Sequence, residues 1–286
     1  MKIHQLTLIV TTLLGIIALL NSAIASSKSF EVASNWEWTL VPTGQIWAYQ
    51  HTEKDPTSTW DYGAELLFQI GEGYGHSLWF GAGYRQAAGF DNSGSITPFN
   101  PRHIDSGQFL SWRWRPVDRF VIFSHLERWC YHEIDIRSPM SFFSTNVGFG
   151  FGTVSPVESL VATTYRAWKD NRSCFDAYVF AGPMIHGGPA EILGNQPLRQ
   201  GEAEGLLVGA WPVYKSLLIE LRAEWDLLLL RESADVRLRH RGDLRLSLLV
   251  QREAGLVSLF VGHHPHDDYP DRSWPVSMYI GLAYRM

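Results

Sequence analysis

Residues Lys215–Arg231 read KSLLIELRAEWDLLLLR. The odd positions Leu217, Ile219, Leu221, Ala223, Trp225, Leu227 and Leu229 are all apolar, and Glu220, Arg222, Glu224 and Asp226 alternate with them. Leu, Glu, Arg and Ala favour helices in isolation. At about 100° per residue, however, the four charges fall on opposing sides and leave no clean polar face. A period of two has one consistent solution, a long strand with a greasy face and an ionic face.

The same alternation recurs along the chain. Tyr62, Ala64, Leu66, Phe68 and Ile70 oppose Asp61, Gly63, Glu65 and Gln69, and Leu78, Phe80, Ala82 and Tyr84 repeat the pattern with Arg85 next in line. Leu110, Trp112 and Trp114 oppose Ser111, Arg113 and Arg115. Phe143, Thr145, Val147, Phe149 and Phe151 oppose Gly148, Gly150 and Gly152. Leu244, Leu246, Leu248 and Val250 form another apolar row, and the chain ends on Met278, Ile280, Leu282, Tyr284 and Met286. Residues Ser159–Trp168 and Phe175–Ala181 are expected as two strands flanking the polar Lys169–Ser173, and Pro42-Thr43-Gly44 as a turn.

Connection lengths carry the topology. Short turns near residues 72, 117, 156, 183, 213 and 254 alternate with longer polar connections, as periplasmic turns and external loops alternate in outer-membrane barrels. The count is fourteen strands if a weak strand follows Pro183 and about twelve if it does not. The expected fold is therefore all-β, an antiparallel transmembrane up-and-down β-barrel of about 12–14 strands.

A lipocalin-like soluble barrel shares this period with its apolar face inward. Three features favour the membrane form. Gly148, Gly150 and Gly152 on the polar face suit a crowded lumen. Trp112, Trp114, Trp211 and Tyr284 fall near the expected periplasmic ends, where an aromatic girdle belongs. The last strand alternates apolar residues and carries an aromatic third from the end, similar to the signal read by the barrel-assembly machinery, with Met286 in place of the usual terminal aromatic.

The ends and the composition agree. Lys2, the apolar run Leu6–Leu20 and the small-x-small Ala23-Ile24-Ala25 read as a signal peptide over residues 1–25, followed by a short lead over 26–35 and one barrel domain over 36–286. The formal net charge of −5 disfavours nucleic acid as a partner. Outer-membrane lipid and lipopolysaccharide are the expected partners, the localisation is the outer membrane, and no cofactor is implied.

The spacing Trp38-x-Leu40-x-Pro42-x-Gly44-x-Ile46-Trp47 resembles an uncharacterised family of Gram-negative outer-membrane β-barrel proteins. The likeness recurs in Ser124-His125-Leu126, Gly262-His263 and Tyr279-Ile280-Gly281-Leu282. Glu127-Arg128-Trp129 stand where the family has Gly and acids. The resemblance implies the fold and the membrane; it brings no activity.

With apolar faces toward lipid, the lumen is expected to hold Glu65, Arg85, Arg113, Arg115, Arg166, Asp176, Glu202, Glu204, Glu220, Arg222, Glu224, Asp226, Arg245 and Arg285. Such rows either stiffen a narrow barrel by cross-strand ion pairs or form a charged constriction that selects solutes. The rival from the enzyme class is a barrel-embedded lipid hydrolase of phospholipase or lipid A deacylase type, with Ser124, His125 and His132 as its candidate residues. As neighbours on a strand, Ser124 and His125 point to opposite faces. A loop bearing His263, His264, His266 and Asp267 offers ligands for a divalent transition metal. Arg237, Arg239 and Arg241 form a basic knot in another expected external loop, suited to lipid phosphates. Cys130 and Cys174, the two cysteines, are both expected near the external rim, where a disulfide could join loops.

Overall fold

Why should a chain with this alternation close on itself? Hydrocarbon offers no hydrogen-bond partner, so a spanning sheet must leave no open edge. The computed structural model describes residues 35–38, 41–51, 60–89, 100–133, 141–160, 162–187, 198–232, 235–252, 255–267 and 277–285. The 1–25 leader lies outside these residues.

Twelve antiparallel strands follow one another: β1 (Val41–His51), β2 (Trp60–Gly73), β3 (His76–Gly89), β4 (Asn100–Val117), β5 (Phe120–Glu133) and β6 (Ser141–Gly152), then β7 (Cys174–Gly187), β8 (Leu198–Tyr214), β9 (Leu217–Glu232), β10 (Asp235–Arg252), β11 (Gly255–Asp267) and β12 (Ser277–Arg285). Each pairs with its sequence neighbours, and β1 closes on β12 from Gln45 opposite Arg285 to His51 opposite Tyr279. No helix among the described residues is long and apolar enough to cross a membrane; the strands are the spanning elements.

The faces are inverted relative to a soluble protein. Leu246, Leu259, Ile280 and Leu282 are 49%, 49%, 50% and 59% exposed on the outer wall, whereas Glu220, Arg222 and Arg285 are buried within. On β9 the odd positions look outward and the even ones inward. Trp112 and Trp114 stack on His76 of the neighbouring strand, and Trp211 meets Phe175 edge-on, all toward the tight-turn end. Tyr74 and Gly75 both take positive φ in the β2–β3 connection, the backbone of a two-residue hairpin whose twist matches its strands.

Three sequence expectations are corrected. First, Ser159–Trp168 is not a strand: Glu158–Leu160 forms a 3-10 turn and α1 (Ala162–Asp170) is helical. Thr163, Thr164 and Ala167 are its buried positions, which is helical spacing. Second, Pro183 is not a turn but lies within β7, and the strand count is twelve. It sits where the β6–β7 pairing lapses between Asn146 opposite Met184 and Phe149 opposite Ala181, so its missing N–H costs no ladder bond. Third, Pro42-Thr43-Gly44 belongs to β1. These residues pair with β2 alone, because pairing with β12 begins at Gln45, and a proline is tolerated on that open side.

The connection between β6 and β7 is the exception to the tight turns at this end. It spans Thr153–Ser173 and folds inward. Gly148, Gly150 and Gly152 of β6 make room beside it: a Cβ on Gly150 would overlap the Phe123 ring and the Val179 carbonyl. Phe123, Tyr178, Phe180, Leu206 and Val208 then pack as a core inside the barrel wall, with Ala162 against them. Gly150→Leu should therefore destabilise the barrel by about 1–3 kcal/mol through overpacking, measured as a lowered urea midpoint of the detergent-solubilised protein; an unchanged midpoint would count against this packing.

Candidate functional site

The lumen divides into two levels. At the tight-turn end the inward segment stretches between opposing walls. Val157 packs with Leu67 and Trp79 while Leu160 and Phe109 complete that cluster. On the far side Ala167 joins Cys174, Ala210, Leu218, Leu249 and Leu256, with Trp168 against them. The segment thus plugs the barrel between β2–β4 and β7–β11.

Polar contacts pin the plug as firmly as apolar ones. Arg113 and Arg115 of β4 both reach Glu158 Oε1, Arg115 at 3.0 Å. Ser155 donates its backbone N–H and its hydroxyl to Glu158 Oε2 at 3.0 and 3.1 Å. Arg222 donates to the Ser159 carbonyl at 3.3 Å and Arg285 to the Leu160 carbonyl at 3.1 Å. Asp176 of β7 accepts from Thr153 at 2.8 Å and Thr163 at 2.6 Å, and pairs with Arg166 of α1. Burial by itself would push the Glu158 carboxyl up, yet the two guanidiniums and the Ser155 hydrogen bonds hold it below the usual glutamate range.

Arg285 also grips Glu220 with two bonds of 2.9 Å, and both side chains are almost fully buried. Above the plug, acids gather. Carboxylate oxygens of Glu204, Glu224 and Asp226 all lie within 4.8 Å of one another. Tyr178 donates its hydroxyl to Glu204, Arg222 reaches Glu224 at 3.4 Å, and the Arg241 Nε donates to Asp226 at 2.9 Å. These are the hard oxygen donors that divalent cations take, but Arg222 and Arg241 already neutralise two of the three. Across the barrel Arg85 pairs with Glu65 at 3.4 Å, and Gln45 donates to the same carboxylate at 2.9 Å. Of the charged residues assigned to the lumen by alternation, Arg166 belongs to the plug helix and not to the wall, because the segment that carries it is not a strand.

The other predicted sites disperse. Ser124 turns outward, while His125 turns inward against Phe109 and Phe180 and lies 3.6 Å from Glu127. His132 lies eight positions beyond Ser124 on the same strand, roughly 26 Å away at ~3.3 Å per residue. The three do not converge.

His263, His264, His266 and Asp267 belong to β11 rather than a loop. Leu244 opposes His263 while Gly242 opposes His266, an extra residue in β11 that turns successive imidazoles to different sides. His264 contacts Tyr279 and lies 3.8 Å from Asp243, whereas His266 stacks on His240 with ring centroids 3.8 Å apart. A single metal centre from this set is not assembled. Arg237, Arg239 and Arg241 likewise sit on β10 and alternate to the lumen side with Asp243, so they do not form a lipid-facing knot.

The disulfide expectation is overturned. Cys130 is one pair beyond Tyr131 on β5 and opposes Phe143, which in turn opposes Gly187; Cys174 begins the same strand β7. The thirteen positions from Cys174 to Gly187 place the two sulfurs at opposite ends of the wall, roughly 40 Å apart at ~3.3 Å per residue. Neither cysteine forms a disulfide.

No protein-family model matches the chain, and no curated sequence does. Solved structures do. The chain is similar to an outer membrane channel from Pseudomonas putida F1, with TM-score 0.51 and 7% identity over 91% of this chain and 98% of that one. It is also similar to outer membrane phospholipase A from Escherichia coli, with TM-score 0.45 and 9% identity over 87% of this chain and 94% of that one. LpxR from Salmonella typhimurium matches with TM-score 0.46 and 7% identity over 85% and 99%. At such identities the likeness shows the fold, and the fold is that of outer-membrane β-barrels.

Two expectations follow for measurement. Alkylation of denatured, unreduced protein should modify two thiols per chain; a count of zero would restore the disulfide. Because Glu158 has a folded pKa below its ordinary value of about 4.3, its contribution to stability is complete above that value and fades only as pH falls through the lower folded one. The stability difference between wild type and Glu158→Gln should thus stay flat from about pH 8 to 5 and shrink below about pH 4. A thermal-unfolding series with a constant difference down to about pH 3 would contradict this latch.

Proposed function

We propose that this chain is an outer-membrane protein that passes small solutes through a narrow, charge-lined lumen, with its own β6–β7 segment as the closure. In this reading residues 1–25 are an export signal, 26–35 a lead and 36–286 the barrel, delivered by the barrel-assembly machinery into a bilayer of phospholipid and lipopolysaccharide. The supporting observation is the gathering of three carboxyl groups at Glu204, Glu224 and Asp226, against which the wall sets only the two guanidiniums of Arg222 and Arg241.

A barrel that needs only rigidity gains nothing from such a crowd. Like charges facing one another on a sheet are destabilising, and the lower lumen shows that this barrel fills space with Phe123, Phe180 and Leu206 where solidity is wanted. Charged rows that survive in the upper lumen fit the selection of solutes at a constriction. The Arg85–Glu65 pair on β3 and β2 faces them from the other wall. The hydrolytic alternative lacks a comparable support, since Ser124 and His125 take opposite faces.

The test is conductance across a planar bilayer. Wild type should give small, infrequent steps. A variant with residues 155–172 replaced by a short Gly-Ser linker, checked for folding by its heat-shifted gel mobility, should give steps at least several-fold larger and long-lived. A folded plugless barrel that conducts nothing would overturn the proposal.

A further inference from the structure

Three consecutive plug residues present oxygens to four guanidiniums that all belong to the barrel wall. Glu158 gives its carboxylate to Arg113 and Arg115, Ser159 its carbonyl to Arg222, and Leu160 its carbonyl to Arg285. The donors come from β4, β9 and β12, strands remote in sequence and spread around the barrel. Burying so many guanidiniums against one connection is costly unless each keeps a partner. Were the segment to leave, the same four would need others.

Their surplus capacity points the same way. Guanidinium carries five donors, and the Nε–H of Arg113, Arg115 and Arg285 is buried with no hydrogen-bond partner among the described residues. Arg113 has one other acid nearby, Glu72 at 3.6 Å on the rim, and that carboxylate is half exposed. Arg285 has Glu220 and Arg222 has Glu224 as wall partners, so these two are half satisfied without the plug. Arg113 and Arg115 depend on the plug more heavily: apart from the half-exposed Glu72 beside Arg113, Glu158 is their shared, close carboxylate.

We infer that the Glu158-Ser159-Leu160 stretch occupies a binding site for small carboxylate solutes, with Arg113 and Arg115 as the carboxylate subsite and Arg222 and Arg285 as donors to neutral oxygens further along the molecule. This rests on the channel reading and names its solute class. A solute bearing one carboxylate and several hydroxyls replaces all three plug oxygens with its own. The plug is then a resident competitor: it shuts the barrel by filling the place the solute takes, and an anion that binds there releases it. Neutral polyols lack the charge that two converging guanidiniums demand.

Binding to the full-length protein in detergent, followed by calorimetry, tests this without passing current. Gluconate, acetate and neutral sorbitol are the probes, and wild type is compared with Glu158→Ala, which vacates the carboxylate subsite. Glu158→Ala should bind gluconate and acetate at least tenfold more tightly than wild type and sorbitol no better. Adding Arg113→Gln should abolish the gain. Equal anion affinities in wild type and Glu158→Ala, or a gain that survives Arg113→Gln, would overturn the inference. Should Glu158→Ala fail to fold, Glu158→Gln serves: gluconate bound at least threefold more tightly supports the site, and unchanged affinity removes it. A plugless barrel that is silent in bilayers defeats the channel while leaving this binding result standing, and unaltered binding in a conducting barrel defeats only the solute class.

Discussion

Arg285, second from the end of the chain, holds three parts of the molecule at once. Its backbone closes the barrel opposite Gln45, its guanidinium grips Glu220 of β9 through two hydrogen bonds, and a further bond reaches the Leu160 carbonyl of the plug. Removing one partner of such a buried pair typically costs about 3–5 kcal/mol, because the other charge is left uncompensated. The last strand can therefore complete its ion pair only once β9 is in place, and its bond to the Leu160 carbonyl only once the plug is seated. Sheet closure, lumen electrostatics and the seat of the plug are coupled through one side chain.

The inside-out orientation makes that coupling possible. With leucines and isoleucines facing hydrocarbon, every inward position is free to be ionic, glycine or aromatic without exposing a charge to lipid, where an Arg or Lys at mid-depth costs about 2–4 kcal/mol. The lumen uses the freedom unevenly. Around Gly148, Gly150 and Gly152 the wall is thinned so that Phe123, Tyr178 and Phe180 can project, and that sector is solid. Toward the other end the even positions of β9 carry charge from Glu220 through Arg222 and Glu224 to Asp226, then return to apolar at Leu228 and Leu230, which pack with Met184. On β10 the charge runs further, since Arg239 and Arg237 stand opposite those two leucines.

What could be read in the sequence follows from period. Alternation over Leu217–Leu229 gave both the strand and its faces, and the inward charges Glu220, Arg222, Glu224 and Asp226 came from parity alone, since inward and outward residues on a strand differ by one. Parity says nothing of a segment that leaves the wall. Ser159–Trp168 has few charges and Thr, Val and Tyr that suit a strand, so its helix emerges only from what it packs against: Thr163 with Asp176, Ala167 with Leu218 and Leu249. Reading it as a strand displaced Cys174 to the wrong rim and made Pro183 a turn. Glu158, the residue most enclosed by arginines, was invisible for the same reason, because its partners Arg113 and Arg115 are some 45 and 43 positions away and across the lumen.

A plug made from a connection is the economical way to close such a barrel, and under the proposed channel reading its position is also one from which it could open. The tight turns at this end, such as Tyr74-Gly75, are too short to move independently of their strands. The β6–β7 segment has length enough to fold in, and its ends are the paired strands themselves, so it can leave without breaking the ladder. Its hold on the wall is of two kinds. The apolar contacts of Val157 and Ala167 would be recovered by any filler of similar shape, but the oxygens of residues 158–160 answer to specific guanidiniums. A purely structural filler needs only the first kind. Four arginines from three distant strands, converging on three adjacent residues, supply the second kind, and that is the feature the inferred solute site rests on.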